Sequence, residues 1–169
     1  MKKLLVIFII LIFIGIIFYS LNSYFSETME KLIVKSAFAE GEKIPEKYTC
    51  NGENVNPPLE IEGIPSNAKT LAIIVDDPDA TGGWVHWIVF NIPVTSKIEE
   101  NSVPGEEGMN DFKQTSYSGP CPPSGSHRYY FRVYSLDVNL SLSFATKADL
   151  EMAMKGHILA KGELMGRFR

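Results

Sequence analysis

The hydrophobic residues of this chain fall into short apolar runs, and the segments between the runs are rich in glycine, proline and asparagine. Apolar runs of this length, bounded by turn residues, are typical of β-strands. The pattern predicts strands over 32–37, 59–61, 71–75, 84–92, 129–136 and 164–168. The run 71–75 is wholly apolar, which indicates a central strand that is buried on both faces.

One helix is predicted in the C-terminal part of the chain. Thr146 and Asp149 form an acidic variant of a capping box, in which a side chain at each position satisfies a backbone amide of the first turn. Apolar or partly apolar residues then recur at helical spacing, at Leu150, Ala153, Met154, His157 and Ile158. Many strands and one helix predict a mainly antiparallel β architecture, either a sandwich or a flattened barrel with a helix beside it.

The N-terminal segment differs in character from the rest of the chain. Lys2 and Lys3 precede an apolar run over 4–18 that contains no charge, proline or amide side chain. This length favours an uncleaved membrane-spanning anchor, with a cleaved signal peptide as the second interpretation and a buried core helix as the third. The two lysines place the N-terminus in the cytoplasm. We therefore expect a single-pass membrane protein with its domain outside the cytoplasm, or a secreted protein if the segment is cleaved.

The chain divides accordingly into an anchor or signal peptide at 1–22, a connector at 23–31 and one folded domain at 32–169. Its two cysteines, Cys50 and Cys121, lie far apart in loop-like contexts. An even cysteine count in an exported domain favours a disulfide over two free thiols. The net charge is −4, with no basic stripe, so nucleic-acid binding lacks its electrostatic basis.

Two acidic residues and two histidines stand where apolar strands meet loops. Asp77 and Asp79 flank Pro78 just after the predicted strand 71–75, and the proline restricts the backbone of the turn. Either carboxylate can instead cap the turn through local hydrogen bonds. His86 and His127 lie near strand ends beside bulky apolar residues, an environment that disfavours their charged forms.

Strand periodicity predicts which side chains share a face. In the strand 84–92, the even positions are expected to share one face, with Trp87 on the other face; these positions are Trp84, His86, Ile88 and Phe90. Arg128 is expected to point away from its neighbour His127 and to pair with an acid as part of the fold. On the helix, His157 is expected to be a structural or an interfacial residue.

Two motifs carry a family resemblance. Asp-Asp-Pro-Asp-Ala at 76–80 runs into Trp-Val-His-Trp at 84–87, and Gly-Pro-Cys-Pro-Pro-Ser-Gly-Ser-His-Arg-Tyr occupies 119–129. Together they resemble the phosphatidylethanolamine-binding protein family, in its bacterial and archaeal branch, and the resemblance covers about 33–168. It implies a large central sheet, a smaller second sheet, and one or two peripheral helices.

The resemblance also implies a small pocket that accepts an anion such as phosphate. Its residues carry over to Asp77, His86, His127 and Tyr129, with Asp79 beside them. Gly119 and Pro120 would supply pocket wall and backbone donors. An aspartate is a poor neighbour for a phosphate, so we expect a protonated histidine, a protonated Asp77, or a ligand that carries its own cation.

Family members are known as phospholipid head-group binders and as inhibitors of kinases or serine proteases. For a domain outside the cytoplasm, the resemblance favours a non-enzymatic binding module with a phosphate-bearing ligand, no cofactor, and a possible protein partner such as a protease. A hydrolase is the second hypothesis, although Ser126 and His127 are adjacent and face opposite ways. A metal-dependent site from Asp77, Asp79, His86 and His127 is the third, since these are acceptable zinc ligands, although they lack a closely spaced metal motif.

Overall fold

Nine β-strands and one α-helix form residues 30–169, the part of the chain that this computed structural model describes. The strands are β1 (Glu30–Lys31), β2 (Ile33–Ser36), β3 (Leu59–Glu62), β4 (Thr70–Asp77), β5 (Trp84–Pro93), β6 (Lys97–Ile98), β7 (Glu106–Glu107), β8 (His127–Leu136) and β9 (Ile158–Phe168). The helix α1 spans Lys147–Met154, and a single 3-10 turn spans Glu46–Tyr48.

The strands form two sheets. The larger sheet has six strands in the order β1-β9-β8-β4-β5-β7, and the smaller has three in the order β2-β3-β6. All pairs are antiparallel except β1 with β9, which is parallel. The prediction of a mainly β fold with a large and a small sheet is therefore confirmed.

Two apolar clusters hold these layers together. The first lies between the two sheets and includes Val34, Ile61, Ile98, Val75, Trp87 and Phe131. The second lies between the large sheet and α1 and includes Ile74, Ile88, Phe90, Leu150 and Met154. Strand β4 contributes to both clusters and all its residues are buried, which is why its central run 71–75 is apolar without alternation.

Both edges of the large sheet end in very short strands. At one edge β1 consists of Glu30 and Lys31, and at the other β7 consists of Glu106 and Glu107. All four edge residues are charged.

The predicted capping box is confirmed, but the helix is shorter than predicted. The side chain of Thr146 accepts a hydrogen bond from the Asp149 amide, and the Asp149 carboxylate accepts one from the Thr146 amide. The helix ends at Met154, and Gly156 has a φ of +84°, a conformation that favours glycine and interrupts helices. His157 and Ile158 therefore lie beyond the helix, and the last strand begins at Ile158 rather than at 164.

The predicted disulfide is confirmed. Cys50 and Cys121 are bonded, with their Cα atoms 5.5 Å apart. The bond joins the loop after the 3-10 turn to the loop that leads into β8.

The predicted anchor at 1–22 lies outside the described residues, as does most of the connector. Within residues 30–169, no helix has the length and apolar character needed to cross a membrane.

Candidate ligand-binding site

The Asp77 carboxylate organises one end of the large sheet. It lies at the end of β4, and its side chain is only 4% exposed. One oxygen, Oδ2, lies 2.7 Å from Nδ1 of His127. The other, Oδ1, accepts hydrogen bonds from the backbone amides of Asp79 (2.9 Å) and Ala80 (3.1 Å). Asp77 thus caps the turn and also orients a histidine, so both of its oxygens are engaged.

Tyr129 lies on the same face as His127, two residues further along β8. Its side chain is fully buried, and its hydroxyl has no hydrogen-bond partner within residues 30–169. Burial, and then the negative charge of Asp77, raise the pKa of Tyr129 well above its ordinary value, so the hydroxyl keeps its proton. A buried hydroxyl without a partner is a rare and costly feature, and ligand sites are one place where it is found.

A β-bulge brings His86 to this face. In the β4–β5 pair, Val75 is opposite Trp87 and Asp76 is opposite Val85, so His86 is the extra residue. The imidazole packs edge-on against the Tyr129 ring, with ring centroids 5.2 Å apart. The prediction that His86 shares a face with Ile88 and Phe90 was therefore wrong, because period-two alternation holds only where the ladder is regular.

The environment of His86 fixes its tautomer. Its Nδ1 lies 2.6 Å from the Ser118 carbonyl oxygen, which accepts only, so Nδ1 carries the proton. Burial lowers the pKa of His86 below its ordinary 6.5, although the Ser118 carbonyl and Asp77 oppose the effect. The imidazole is therefore neutral above that pH, and its Nε2 atom is then a hydrogen-bond acceptor.

Asn110 holds the loop that positions His86. Its buried amide nitrogen donates to the Ser116 carbonyl (2.8 Å), the Ser118 hydroxyl (3.2 Å) and the His86 carbonyl (3.3 Å). Its side-chain oxygen accepts from the Gln114 amide at 3.0 Å. One side chain thus ties the bulge to the loop whose carbonyl orients the imidazole.

Gly119 and Pro120 are buried beside this site, but they do not offer the expected backbone donor. The Gly119 amide donates to Oδ1 of Asn54 at 2.7 Å, and proline has no amide hydrogen. The Cys121 amide lies near the Tyr129 hydroxyl, where it favours the ionised phenol. It donates no hydrogen bond to a backbone carbonyl within residues 30–169. The backbone donor that points at the candidate site therefore belongs to Cys121.

Asp79 is used for a different purpose. Its carboxylate forms a bidentate pair with the Arg128 guanidinium, at 2.6 Å for the shortest contact, and also accepts from the Arg128 amide. These hydrogen bonds lower the pKa of Asp79 to about 2. The predicted pairing of Arg128 with an acid is confirmed, and Asp79 has little capacity left for a ligand. His157, as a structural residue, contacts Asp137 at 2.8 Å.

The groups left free at the site are hydrogen-bonding groups rather than a nucleophile. No hydroxyl or thiol bonds to either imidazole, and no group of three or more metal-ligating side chains is found, within residues 30–169. Two surface grooves, of about 660 and 700 Å³, lie along β2 and along β1 and β9 and contain none of these residues. The candidate site is therefore distinguished by the chemistry of its side chains.

Comparisons with known proteins agree with this architecture. The family model for phosphatidylethanolamine-binding protein matches residues 34–169. A protein of Pyrococcus abyssi described as a UPF0098 protein is 51% identical over 153 residues, covering 82% of this chain and 85% of the relative. A UPF0098 protein of Archaeoglobus fulgidus is 48% identical over 152 residues, but the match covers 84% of this chain and only 52% of that relative.

Solved structures show the same fold. A Chlamydia trachomatis homologue of phosphatidylethanolamine-binding protein superposes with a TM-score of 0.79 at 42% identity, covering 83% of this chain and 98% of that one. Escherichia coli YbcL, described as a member of the mammalian family, superposes with a TM-score of 0.75 at 26% identity, covering 82% and 98%. This chain belongs to the phosphatidylethanolamine-binding protein family.

The residues that the sequence analysis missed lie in the long segment between β5 and β8. Asn110 acts there through its side-chain amide and Ser118 through its backbone carbonyl, and neither belongs to a motif. Cys121 was predicted as a disulfide partner, but the position of its backbone amide beside Tyr129 was not predicted. The length of this segment between two strands was the available signal, because long irregular loops in compact domains are usually functional.

Proposed function

We propose that this protein is a non-enzymatic binding module whose site at the end of β4 and β8 takes a phosphate-bearing ligand, including a phospholipid head group. The observation that carries the proposal is the buried Tyr129 hydroxyl, which has no hydrogen-bond partner of good geometry within residues 30–169 and lies near the Cys121 backbone amide, on a ring that packs against His86. Its donor capacity is unused within residues 30–169, and an oxyanion would supply the missing acceptor.

The Asp77 carboxylate does not prevent an anion from binding at this position. Both of its oxygens accept hydrogen bonds, two from the turn and one from His127. Its role is to orient the imidazole, and its charge is offset locally by these donors. His86, when protonated, then adds positive charge where the phosphate would lie.

The pH dependence follows from the His86 tautomer. With Nδ1 committed to Ser118, neutral His86 offers only an acceptor at Nε2, and protonation converts that atom into a charged donor. Burial holds the pKa of His86 below 6.5 in the free protein, and a bound anion favours the charged form. Binding therefore takes up a proton and becomes tighter as the pH falls.

The cellular role in this proposal is extracytoplasmic. The apolar segment at 4–18 tethers the domain to the outer face of the cytoplasmic membrane, or is removed on secretion. The disulfide supports an oxidising compartment. The head-group site then serves to recognise a ligand or to regulate a partner such as a protease, without extracting whole lipids.

The test is calorimetric titration with inorganic phosphate and with phosphoethanolamine at about pH 6 and pH 8. Tyr129→Phe removes only the free hydroxyl, and His127→Gln removes the imidazole that Asp77 orients. Each is expected to weaken binding by roughly three- to tenfold, equivalent to one hydrogen bond of about 1 kcal/mol. His157→Gln is the matched control, because it removes an exposed imidazole that pairs with Asp137.

Wild-type affinity that is unchanged in both site variants, or equal at the two pH values, contradicts the proposal. Thermal melting of each variant shows whether the fold is retained. Release of inorganic phosphate from phosphoethanolamine during the titration would instead support the hydrolase alternative.

A further inference from the structure

The loop between β8 and α1 contains the one Asn-x-Ser/Thr sequence of the chain. Its residues are Asn139, Leu140 and Ser141, so the middle position is not a proline. This acceptor sequence, or sequon, marks N-linked glycosylation in exported proteins, where the asparagine amide nitrogen receives the glycan. Because so short a sequence also occurs by chance, its surroundings in the fold decide whether it can be used.

The fold presents the two recognised residues at the surface. Asn139 and Ser141 are exposed, whereas Leu140 between them is buried in the apolar cluster between the large sheet and α1. Asn91 also holds the Leu140 backbone. Its Oδ1 accepts from the Leu140 amide and its Nδ2 donates to the Leu140 carbonyl, each at 2.8 Å. The middle residue is therefore anchored inward, and the asparagine and serine on either side of it remain accessible to a transferase.

The first part of this loop is held by backbone groups. The Val138 carbonyl accepts a hydrogen bond from the Thr70 hydroxyl at 2.6 Å, and the Asp137 amide donates to the His157 carbonyl at 3.1 Å. None of these bonds uses the Asn139 side chain. A glycan on its amide nitrogen would therefore leave them intact.

The sequon lies at the end of the large sheet that is remote from the candidate site. His127 and Tyr129 are at the start of β8, and Asn139 follows the other end of the strand, at Leu136, by three residues. The ten residues of β8 separate these ends by about 30 Å. A glycan on Asn139 would therefore leave the site open to its ligand.

We propose that Asn139 is an N-glycosylation site, and that its glycan comes from a lipid-linked sugar phosphate outside the cytoplasm. The Asn139 amide nitrogen forms a bond to the anomeric carbon of the first sugar, and the bond from that carbon to the phosphate oxygen of the donor breaks. The amide gives one proton to a base of the transferase, the lipid phosphate leaves with the bonding electrons, and nothing is oxidised or reduced. This inference rests on the extracytoplasmic location in the proposed function, and it does not depend on the ligand site.

The first measurement is the intact mass of the protein purified from the cells that make it, or from their medium. We expect a mass that exceeds that of the polypeptide, with or without the N-terminal segment, by the mass of one glycan. Fragmentation of the corresponding peptide should place the added mass on Asn139. A protein whose mass equals that of its polypeptide overturns the inference.

Variants of the full chain test the assigned residues. They are synthesised with microsomes that supply a transferase and its lipid-linked donor, and glycosylation is read as a gel shift. Asn139→Gln and Ser141→Ala should abolish the shift completely, whereas Ser141→Thr should keep it because threonine also carries the required hydroxyl. Asn67→Gln and Ser143→Ala are the matched controls, since both residues are exposed and lie outside the sequon; each should keep the wild-type shift.

The outcomes separate this inference from the proposed function. Protection from added protease shows whether the domain has entered the microsomes. A protected domain without the shift, or a shift that persists in Asn139→Gln, overturns the glycosylation site alone. A domain that stays accessible to the protease contradicts the extracytoplasmic location, and the inference fails with it. If the wild type does not bind inorganic phosphate, the ligand site fails and the glycosylation site stands.

Discussion

The disulfide provides a quantitative test of how the site loop is held. Cys50 and Cys121 are separated by 71 residues, and both are exposed to solvent. In the chain-entropy model, closing a loop of this length removes about 15 cal/mol/K from the unfolded chain, or about 4 kcal/mol at room temperature. The double variant Cys50→Ser/Cys121→Ser should therefore unfold with a free energy that is lower by about 4 kcal/mol.

The assay is thermal and urea denaturation of the wild type and the double variant, each with and without a reductant. An unfolding entropy of about 2 cal/mol/K per residue converts the expected loss into a melting temperature lower by roughly 10–15 °C. The reductant should lower the wild-type midpoint to that of the variant and leave the variant unchanged. A variant that melts within about 3 °C of the oxidised wild type would refute the entropic argument.

Four further predictions concern single side chains. Folding lowers the pKa of His86, so the unfolded chain binds more protons near pH 6, and stability is complete above about pH 6.5 and declines as the pH falls. Urea midpoints from pH 8 to pH 5 should decline less steeply for His86→Gln than for the wild type, and equal slopes would contradict this. Gly119→Ala should lower the free energy of unfolding by about 1–3 kcal/mol, because the added Cβ would lie 2.5 Å from the Tyr48 carbonyl oxygen; an unchanged urea midpoint would show that the loop adjusts freely. Asn110→Ala should lower the free energy of unfolding by roughly 2 kcal/mol and also weaken phosphate binding, measured by denaturation and calorimetry on one preparation. A loss of stability alone would show that the loop containing Ser118 does not position the His86 imidazole. Thr146→Ala should lower the melting temperature through the loss of about 1 kcal/mol of capping while phosphate affinity is retained; identical melting curves would mean that the cap contributes nothing.

The sequence predicts those parts of the fold that depend on local pattern. The wholly apolar run at 71–75 marks β4 correctly, because burial between two layers leaves no polar face. The Thr146 cap marks the helix start, since its hydrogen bonds are local. The end of the helix and the full length of β9 were not predicted. Strand β9 begins where Ile158 pairs with Leu136, 22 residues earlier in the chain, and local periodicity carries no information about such a tertiary contact.

The sequence predicts which residues form the candidate site better than it predicts their orientations and hydrogen-bond partners. Asp77, His127 and Tyr129 converge as expected, because they lie at the adjoining ends of neighbouring antiparallel strands. The orientation of His86 depends on a bulge, which no local pattern in β5 announces. The roles of the Gly119 and Cys121 amides depend on which loop packs against them, and that is decided by contacts across the fold.

The charged two-residue strands at the edges of the large sheet bear on how such domains behave when crowded. An exposed strand edge is a template for pairing with another chain, and short, charged edges oppose such pairing. Within residues 30–169 the outermost strands of the large sheet consist of Glu30 and Lys31 at one edge and Glu106 and Glu107 at the other. If the domain is tethered to a membrane, its copies share a thin layer at high effective concentration. Short, charged edges then oppose strand pairing between copies, so that the domains remain separate during lateral diffusion.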